Sequence, residues 1–307
     1  MTLDKNKKCL LKNPLTILRS EAVFLALQKL WVNNHLNVKD PAKLAEDFFG
    51  YLAGLKDADE VNPRRIRDFY GKLLKENKVA DIDPDFQKDM LFQLIEKDLG
   101  AAETVLDFGC GKLAYMKNIT VQNKSIKKLI GVDSKSQPVL AGVDPRISFE
   151  RNLNEVAAKS VDLAIIKLVL HHIENDAEIV EILRKIKKVL RPGGKLIIFE
   201  ESFPENVTSI KEVKDYLSRF GLELAEEATT DFLKLKKEEK MQYLFLNDWL
   251  MNMQNKYMPW AWQYKSMEEW VALAKTARFT SLESHFIGAI KKRKRKQGQT
   301  TMMIFGN

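Results

Sequence analysis

The sequence predicts an α/β fold, a mostly parallel sheet with helical crossovers, preceded by a helical segment and interrupted once by an insert. Three observations carry this. Short aliphatic or β-branched runs recur at 103–108, 128–133, 146–150, 161–166 and 195–200 and alternate with helical or loop segments, the pattern of strands joined by crossovers. The first run leads straight into a glycine turn, Gly109-Cys-Gly111. The apolar period before Gly100 is helical throughout.

The elements follow in chain order. Leu18, Val23, Leu25, Leu27, Leu30 and Trp31 recur at near-helical spacing. Pro41 stands at a first helical position and Gly50 near the same helix's end. A third helix follows Asn62-Pro63, with Ile66, Phe69, Tyr70, Leu73 and Leu74 as its apolar set. A fourth starts near Pro84, buries Phe86, Met90, Leu91, Leu94 and Ile95, and closes at Gly100. Beyond Gly100 the strand runs begin. The clearest crossover helix is 176–190, where Ile179, Ile182, Leu183, Ile186 and Leu190 form one face and Arg191-Pro-Gly-Gly stops it. Residues 201–265 leave the alternation. They hold charged helical material, Lys211 to Phe220 and Asp231 to Leu250, and an aromatic stretch from Tyr257 to Tyr264. A helix at about 267–277 and runs at 282–290 and 299–305 then resume the pattern.

Composition narrows the function classes. The chain has 307 residues, 45% hydrophobic and 30% charged, as in an ordinary globular protein. No stretch approaches the roughly 20 apolar residues that cross a bilayer, and MTLDKNKKCLLKN lacks a signal-peptide core. Cys9 and Cys110 are too few for a disulfide framework, and no zinc-ligand spacing occurs. A cytoplasmic setting is expected. The formal charge of +8 favours anionic partners. Six of the 50 Lys and Arg residues form one run, Lys291 to Lys296, which also admits a nuclear address.

The glycine turn points to a ligand. Glycines let a ligand approach the backbone, and the following helix N-terminus offers free N–H groups. Asp133, 22 residues beyond Gly111 at the next strand's end, is placed to accept from ribose hydroxyls. Gly-x-Gly-x-x-Ala also fits the relaxed dinucleotide fingerprint, so NAD competes. Asp107 argues against it: a carboxylate two residues before the first glycine repels a pyrophosphate and suits a cationic ligand without phosphate, such as S-adenosyl-L-methionine.

With these residues in view, the sequence resembles the class I S-adenosylmethionine-dependent methyltransferases. VLDFGCGKL is similar to the family's first motif, LIGVDS to its second, VDLAIIKLVLHHI to the fourth-strand motif and LRPGGKLIIFEE to the fifth-strand motif. The resemblance covers about 85–203 and, by topology, 267–305. It implies a seven-stranded sheet, mostly parallel with the last strand antiparallel, with an N-terminal helical region and an insert after strand five. The corresponding organisation is a helical cap at 1–84, a cofactor-binding core at 85–203, a helical and aromatic insert acting as substrate lid at 204–265, and completion of the core by a terminal β-hairpin at 266–307. It further implies that Asp107, Gly109 and Gly111 surround the methionine part, with Cys110 beside them. Asp133 and Ser134 take the ribose, Asn152 lies near the adenine amine, and Lys167 and Leu168 face the cofactor from strand four. Leu113 stands where the family has a third glycine, a change expected to narrow the turn.

Methyl transfer from a sulfonium is an in-line displacement that requires positioning and no metal. A base helps where the acceptor loses a proton. His171 and His172 after strand four, and Glu200 and Glu201 after strand five, are the candidates. For each, capping or packing is the bland alternative. Of two adjacent strand-end residues only one faces the pocket. Trp260, Trp262 and Tyr264 are candidates to line an acceptor pocket or to form the insert's own core. Tyr70 and Arg67 are further substrate-contact candidates from the third helix. Lys291 and Arg293 would sit in the hairpin turn at the carboxyl-end rim, steering an anionic substrate. The leading reading is a methyltransferase acting on a small or phosphate-bearing acceptor. An RNA methyltransferase gripping phosphates with the basic run and a non-catalytic binding protein on the same fold are the alternatives.

Overall fold

A computed structural model describes residues 26, 39–54, 63–77, 86–134, 140, 142–206, 209–252, 263–291 and 298–307. The chain divides into two compact units. One comprises the described residues within 1–83, 205–264 and 287–300, the other those within 84–204, 265–286 and 301–307. None of the described helices is long and apolar enough to cross a membrane.

The second unit carries most of the sheet. Helix α3 (Phe86–Gly100) of this unit follows α1 (Pro41–Gly54) and α2 (Pro63–Glu76) of the first unit. Strands β1 (Thr104–Phe108), β2 (Lys128–Val132), β3 (Ile147–Glu150), β4 (Val161–Lys167) and β5 (Leu190–Glu201) come next. The crossover helices among them are α4 (Ala114–Gln122), between β1 and β2, and α5 (Asp176–Val189), between β4 and β5. The later elements are α6 (Ile210–Ser218), β6 (Glu223–Leu224), α7 (Glu226–Lys234), α8 (Lys237–Asn252), α9 (Met267–Thr276), β7 (Thr280–Gly288), β8 (Ile290–Lys291) and β9 (Thr300–Gly306). Seven strands form one mixed sheet in the order β3-β2-β1-β4-β5-β9-β7, with the last strand antiparallel. Pairings β3-β2, β2-β1, β1-β4 and β4-β5 are parallel. This is the expected seven-stranded architecture.

The central strands are apolar on both faces because helices cover both. Val105, Leu106, Ile165, Ile166, Ile197 and Ile198 are all fully buried, as parallel strands under crossovers must be. Each such side chain contributes about 1.5–3 kcal/mol of burial. Helix α5 starts where the Asn175 side chain accepts from the Glu178 N–H at 2.9 Å. Acidic residues in its first turn and Lys187 and Lys188 in its last complement the helix dipole. Ile179, Val180, Leu183 and Ile186 face the sheet. Helix α9 opens on a capping box between Ser266 and Glu269.

At the amino ends of the strands Asp162 ties three of them together. Its Oδ2 accepts from the Glu103 and Thr104 N–H groups at 2.8 and 2.9 Å, and its Oδ1 pairs with Arg191 Nε at 2.5 Å.

Three elements differ from the sequence expectation. Strand β5 is longer than 195–200, because Arg191-Pro-Gly-Gly is absorbed as a bulged entry. Leu190 pairs with Val161 before the register shifts, and Gly193 supplies a φ of 77°. The 231–250 helical stretch is two helices, since Leu235 turns extended and the Lys236 N–H is capped by Glu239 Oε2 at 2.9 Å. The terminal strands are also not joined by a plain hairpin turn. Strand β7 stops at Gly288 (φ 67°), and Ile290–Lys291 pair antiparallel with Glu223–Leu224 as a separate two-stranded sheet in the first unit. The Ala289 carbonyl accepts from the Ala225 N–H at 2.7 Å and its N–H donates to Thr229 Oγ1 at 3.1 Å. A side chain at Gly288 would meet Leu224 and Thr229 at 2.8 Å, so only glycine makes this corner.

In the first unit the α1 face Leu44, Ala45, Phe48, Phe49 and Leu52 is buried. Tyr51 stacks on Phe69 of α2 at 3.9 Å between ring centroids.

Candidate active site

The carboxyl ends of β1, β2 and β4 converge on the glycine turn. Parallel pairing sets Asp107 opposite Gly131 of β2 and Ile165 of β4. One residue past β2, Asp133 accepts from the Gly111 N–H through Oδ2 at 3.0 Å, which ties the two strand ends together. The turn is pinned by the Gly109 and Cys110 N–H groups donating to the Val132 carbonyl at 2.7 and 3.3 Å. Gly109 has φ 78°, and a Cβ there would lie 2.3 Å from Val169 Cγ2. The turn therefore admits no side chain at Gly109, where Val169 fills the space, whereas the space beside Gly111 is open, with nothing within 4 Å of a Cβ built there.

Leu113 resolves differently from the expected narrowing. It takes the left-handed conformation itself, φ 63° and ψ 16°, as the residue before α4. Its N–H donates to the Cys110 carbonyl at 2.9 Å, and its side chain is fully buried. The space it needs lies against Gly131 of β2. A Cβ built on Gly131 would meet Cys110 Sγ, Leu113 Cδ2 and Met116 Sδ at 2.8–2.9 Å. The bulk goes down into the sheet packing, at a backbone cost of about 1–2 kcal/mol.

The electrostatics are set by burial. Asp107 is 3% exposed. Its carboxyl is pushed up to about 7 by burial, with Asp133 adding to the rise and Lys167 opposing it. Lys167, at the end of β4, is held below the usual lysine range by burial, partly offset by Asp107. Its Nζ lies 5.2 Å from the Tyr115 ring centroid. Tyr115, in the first turn of α4, is buried. Among the described residues its hydroxyl has no hydrogen-bond partner. Burial and then Asp107 raise the phenol well above its ordinary value. The Cys110 thiol is raised too, first by burial and then by Asp107 and Asp133. This thiol is a packed, inert group.

A second cluster follows β4. Leu168 turns the chain with φ 55°, its N–H donating to the Phe199 carbonyl at 2.8 Å. Glu200 is fully buried and uses both oxygens. Oε1 accepts from the Val169 and Leu170 N–H groups at 2.8 and 2.7 Å, and Oε2 pairs with His171 Nδ1 at 2.5 Å. Glu200 and His171 thus shape the loop whose Val169 packs on Gly109. The His172 ring lies 4.0 Å from that of His171 and is half-buried, and Glu201 is buried.

Of the remaining candidates, Asn152 is exposed after β3 and closes a local turn, accepting from the Asn154 N–H at 2.9 Å and donating to Glu155. Ser134 is exposed beside Asp133. Tyr70 packs on Phe48 in the first unit at 5.1 Å between centroids. Tyr264 is buried there, its hydroxyl donating to Asp248 Oδ2 at 2.8 Å. Lys291 ends β8, with Nζ 3.7 Å from Glu223 Oε2. Trp260, Trp262, Arg293, the Arg67 side chain and the rest of the basic run lie outside the described residues. The sequence reading missed Tyr115 and Val169. The signal for Tyr115 was its place one residue into the helix that the glycine turn opens.

Comparison with known proteins completes the picture. The chain is similar in fold to the N-methyltransferase NodS from Bradyrhizobium japonicum, at 15% identity over 74% of this chain and 99% of that one, with a TM-score of 0.40. It is similar to the mitomycin 7-O-methyltransferase MmcR at 14% identity, over 92% and 75% of the two chains, with a TM-score of 0.47. An S-adenosylmethionine-dependent methyltransferase from Aquifex aeolicus matches at 14% identity, over 80% and 98%, with a TM-score of 0.43. No curated protein matches the chain in sequence. Residues 106–198, which run from β1 into β5 and contain the glycine turn, Asp133, Lys167 and His171, match the family model of a methyltransferase domain. Residues 106–198 of the chain are therefore a methyltransferase domain.

Proposed function

We propose that this chain binds S-adenosyl-L-methionine at the carboxyl ends of β1, β2 and β4 and transfers its methyl group to a small, anionic acceptor. The observation that carries the reading is Asp107: a carboxylate 3% exposed, at the mouth of a turn that excludes any side chain at Gly109. A buried carboxylate is costly unless a positive partner meets it. Lys167 meets it only in part, since the Asp107 carboxyl is still raised to about 7. A cationic ligand completes the balance, and a pyrophosphate would worsen it.

When bound, S-adenosyl-L-methionine supplies a methyl group on a positively charged sulfur. The chain's own residues do the rest. Gly111 brings bare backbone to the ligand, and Asp133 holds the turn while offering a carboxylate at the ribose position. Glu200 and His171 fix the loop after β4, so that Val169 backs Gly109 and the carboxyl-end rim keeps its shape. With both Glu200 oxygens engaged, Glu200 is a positioning residue. His172, half-buried beside His171, is then the better candidate to accept a proton from the substrate. The formal charge of +8 supports an anionic acceptor.

Isothermal titration with S-adenosylhomocysteine tests the cofactor reading. The expected result is stoichiometric binding that Gly109→Ala weakens at least tenfold. No heat of binding at high micromolar protein would remove it. Incubation with methyl-labelled cofactor and separated metabolite, RNA and protein fractions tests the acceptor: label in the metabolite fraction is expected, and label in RNA alone would overturn that part.

A further inference from the structure

The cofactor reading accounts for Asp107 and Asp133 but not for a lysine built into the same strand ends. Lys167 closes β4 beside β1, where Asp107 lies two residues before the glycine turn. Its ammonium stands 5.2 Å from the face of Tyr115, a cation–π arrangement. The Tyr115 hydroxyl is buried with no partner among the described residues, a second sign that a ligand group belongs here. Two groups meet Lys167 directly, the Asp107 carboxyl on β1 and the Tyr115 ring of α4, and Asp133, after β2, acts in turn on Asp107 and on Cys110. A site made only for a cation has no need of a buried ammonium among its carboxylates.

We propose that Lys167 sets the charge preference of the cofactor site, weakening the hold on a ligand with a positive sulfur relative to the same ligand with a neutral thioether. S-adenosylmethionine and S-adenosylhomocysteine share the amino, carboxyl, ribose and adenine groups, so interactions with those parts cancel in their affinity ratio. What remains is the sulfur's charge and one methyl group. The two carboxylates attract that charge and Lys167 repels it, beside the buried Asp107 and Tyr115 where low dielectric keeps such interactions strong. Removing the ammonium leaves the attraction unopposed. The product of the reaction carries no charge on sulfur, so Lys167 narrows the margin by which the carboxylates favour substrate over product.

This inference rests on the cofactor reading, and one experiment separates the two. Titrate the full-length wild type, Lys167→Met, Lys167→Gln and Lys167→Arg with S-adenosylmethionine, S-adenosylhomocysteine and sinefungin, and check folding by thermal denaturation. In both neutral variants S-adenosylmethionine should bind about tenfold more tightly than in the wild type, equivalent to about 1.4 kcal/mol. S-adenosylhomocysteine should bind almost unchanged. Sinefungin, which carries its positive charge on an amine in place of the sulfonium, should follow S-adenosylmethionine. Lys167→Arg should keep the wild-type ratio. Equal shifts for all three ligands, or weaker S-adenosylmethionine binding in the neutral variants, would overturn the proposal while leaving the cofactor reading intact. Failure of all three to bind the wild type would remove both.

Discussion

Replacing Glu200 by Ala perturbs the loop after β4 at its anchor. The fully buried carboxylate accepts two backbone N–H groups, from Val169 and Leu170, and pairs with His171 Nδ1. Alanine leaves both amides and the imidazole without their acceptor in a water-poor site. Each of the three buried N–H groups left without its acceptor costs about 1–3 kcal/mol. Against a total stability of about 5–15 kcal/mol, Glu200→Ala should lose a third or more. Glu200→Gln keeps an oxygen for the two amides and should lose only about 1–2 kcal/mol. Urea denaturation followed by circular dichroism reads both. A Glu200→Ala loss below about 1 kcal/mol with an unchanged slope would refute the anchoring argument, as would equal losses for the two variants.

Other consequences follow from the turn. Gly109→Ala must adopt φ 78° and places a methyl 2.3 Å from Val169 Cγ2, so S-adenosylhomocysteine affinity should fall at least tenfold. Adding Val169→Ala should recover part of it in a calorimetric titration, since the clash is with that side chain. Leu113→Gly removes a left-handed strain of about 1–2 kcal/mol but also a fully buried leucine, whose loss costs about 2–5 kcal/mol. The net should be destabilising by about 1–3 kcal/mol in a denaturant titration. His172→Ala should slow turnover of acceptors that lose a proton, with S-adenosylhomocysteine affinity unchanged.

The parallel core was legible because its strands are buried on both faces. Mostly aliphatic runs such as VDLAII and KLIIFE have few other uses in a chain of this length. The crossover helix at 176–190 was equally plain from its periodicity and its stop signal, and the structure ends it at Val189. What escaped was everything decided by partners far away in sequence. Arg191-Pro-Gly-Gly reads locally as a terminator, yet Val161 gives Leu190 a strand to pair with. Ile290 and Lys291 read as the continuation of β7, but Gly288 turns them toward Glu223 and Leu224, 67 residues back along the chain from Lys291 to Leu224. At the site, the glycine turn and its flanking carboxylates were visible as a motif. The role of Glu200 was not, because its partners lie 29 to 31 residues away. The accommodation of Leu113 was hidden for the same reason, since the room for it comes from Gly131 on the neighbouring strand.

Two aspartates on this sheet differ in how far the fold itself satisfies them. Asp162, at the amino ends of the strands, satisfies two backbone N–H groups and Arg191. Asp107, at the carboxyl ends, is as deeply buried, yet its carboxyl rises to about 7 because burial outweighs the help from Lys167. The sign of its contribution follows. The unfolded chain releases this proton near 3.8 and the folded one near 7, so between those values the folded state holds more protons and stability falls as pH rises. Above about 7 the full penalty is present, on the order of 4 kcal/mol for a shift of about three pH units. Asp107→Asn should therefore be more stable than the wild type at pH 8, with the difference vanishing toward pH 4, while S-adenosylhomocysteine binding is lost. Asp162→Asn should be less stable than the wild type at both pH values. Denaturant midpoints for the three proteins at the two pH values decide it. An Asp107→Asn protein less stable than the wild type at pH 8 would mean that the carboxylate serves the fold, and the argument for a cationic ligand at this turn would lose its support.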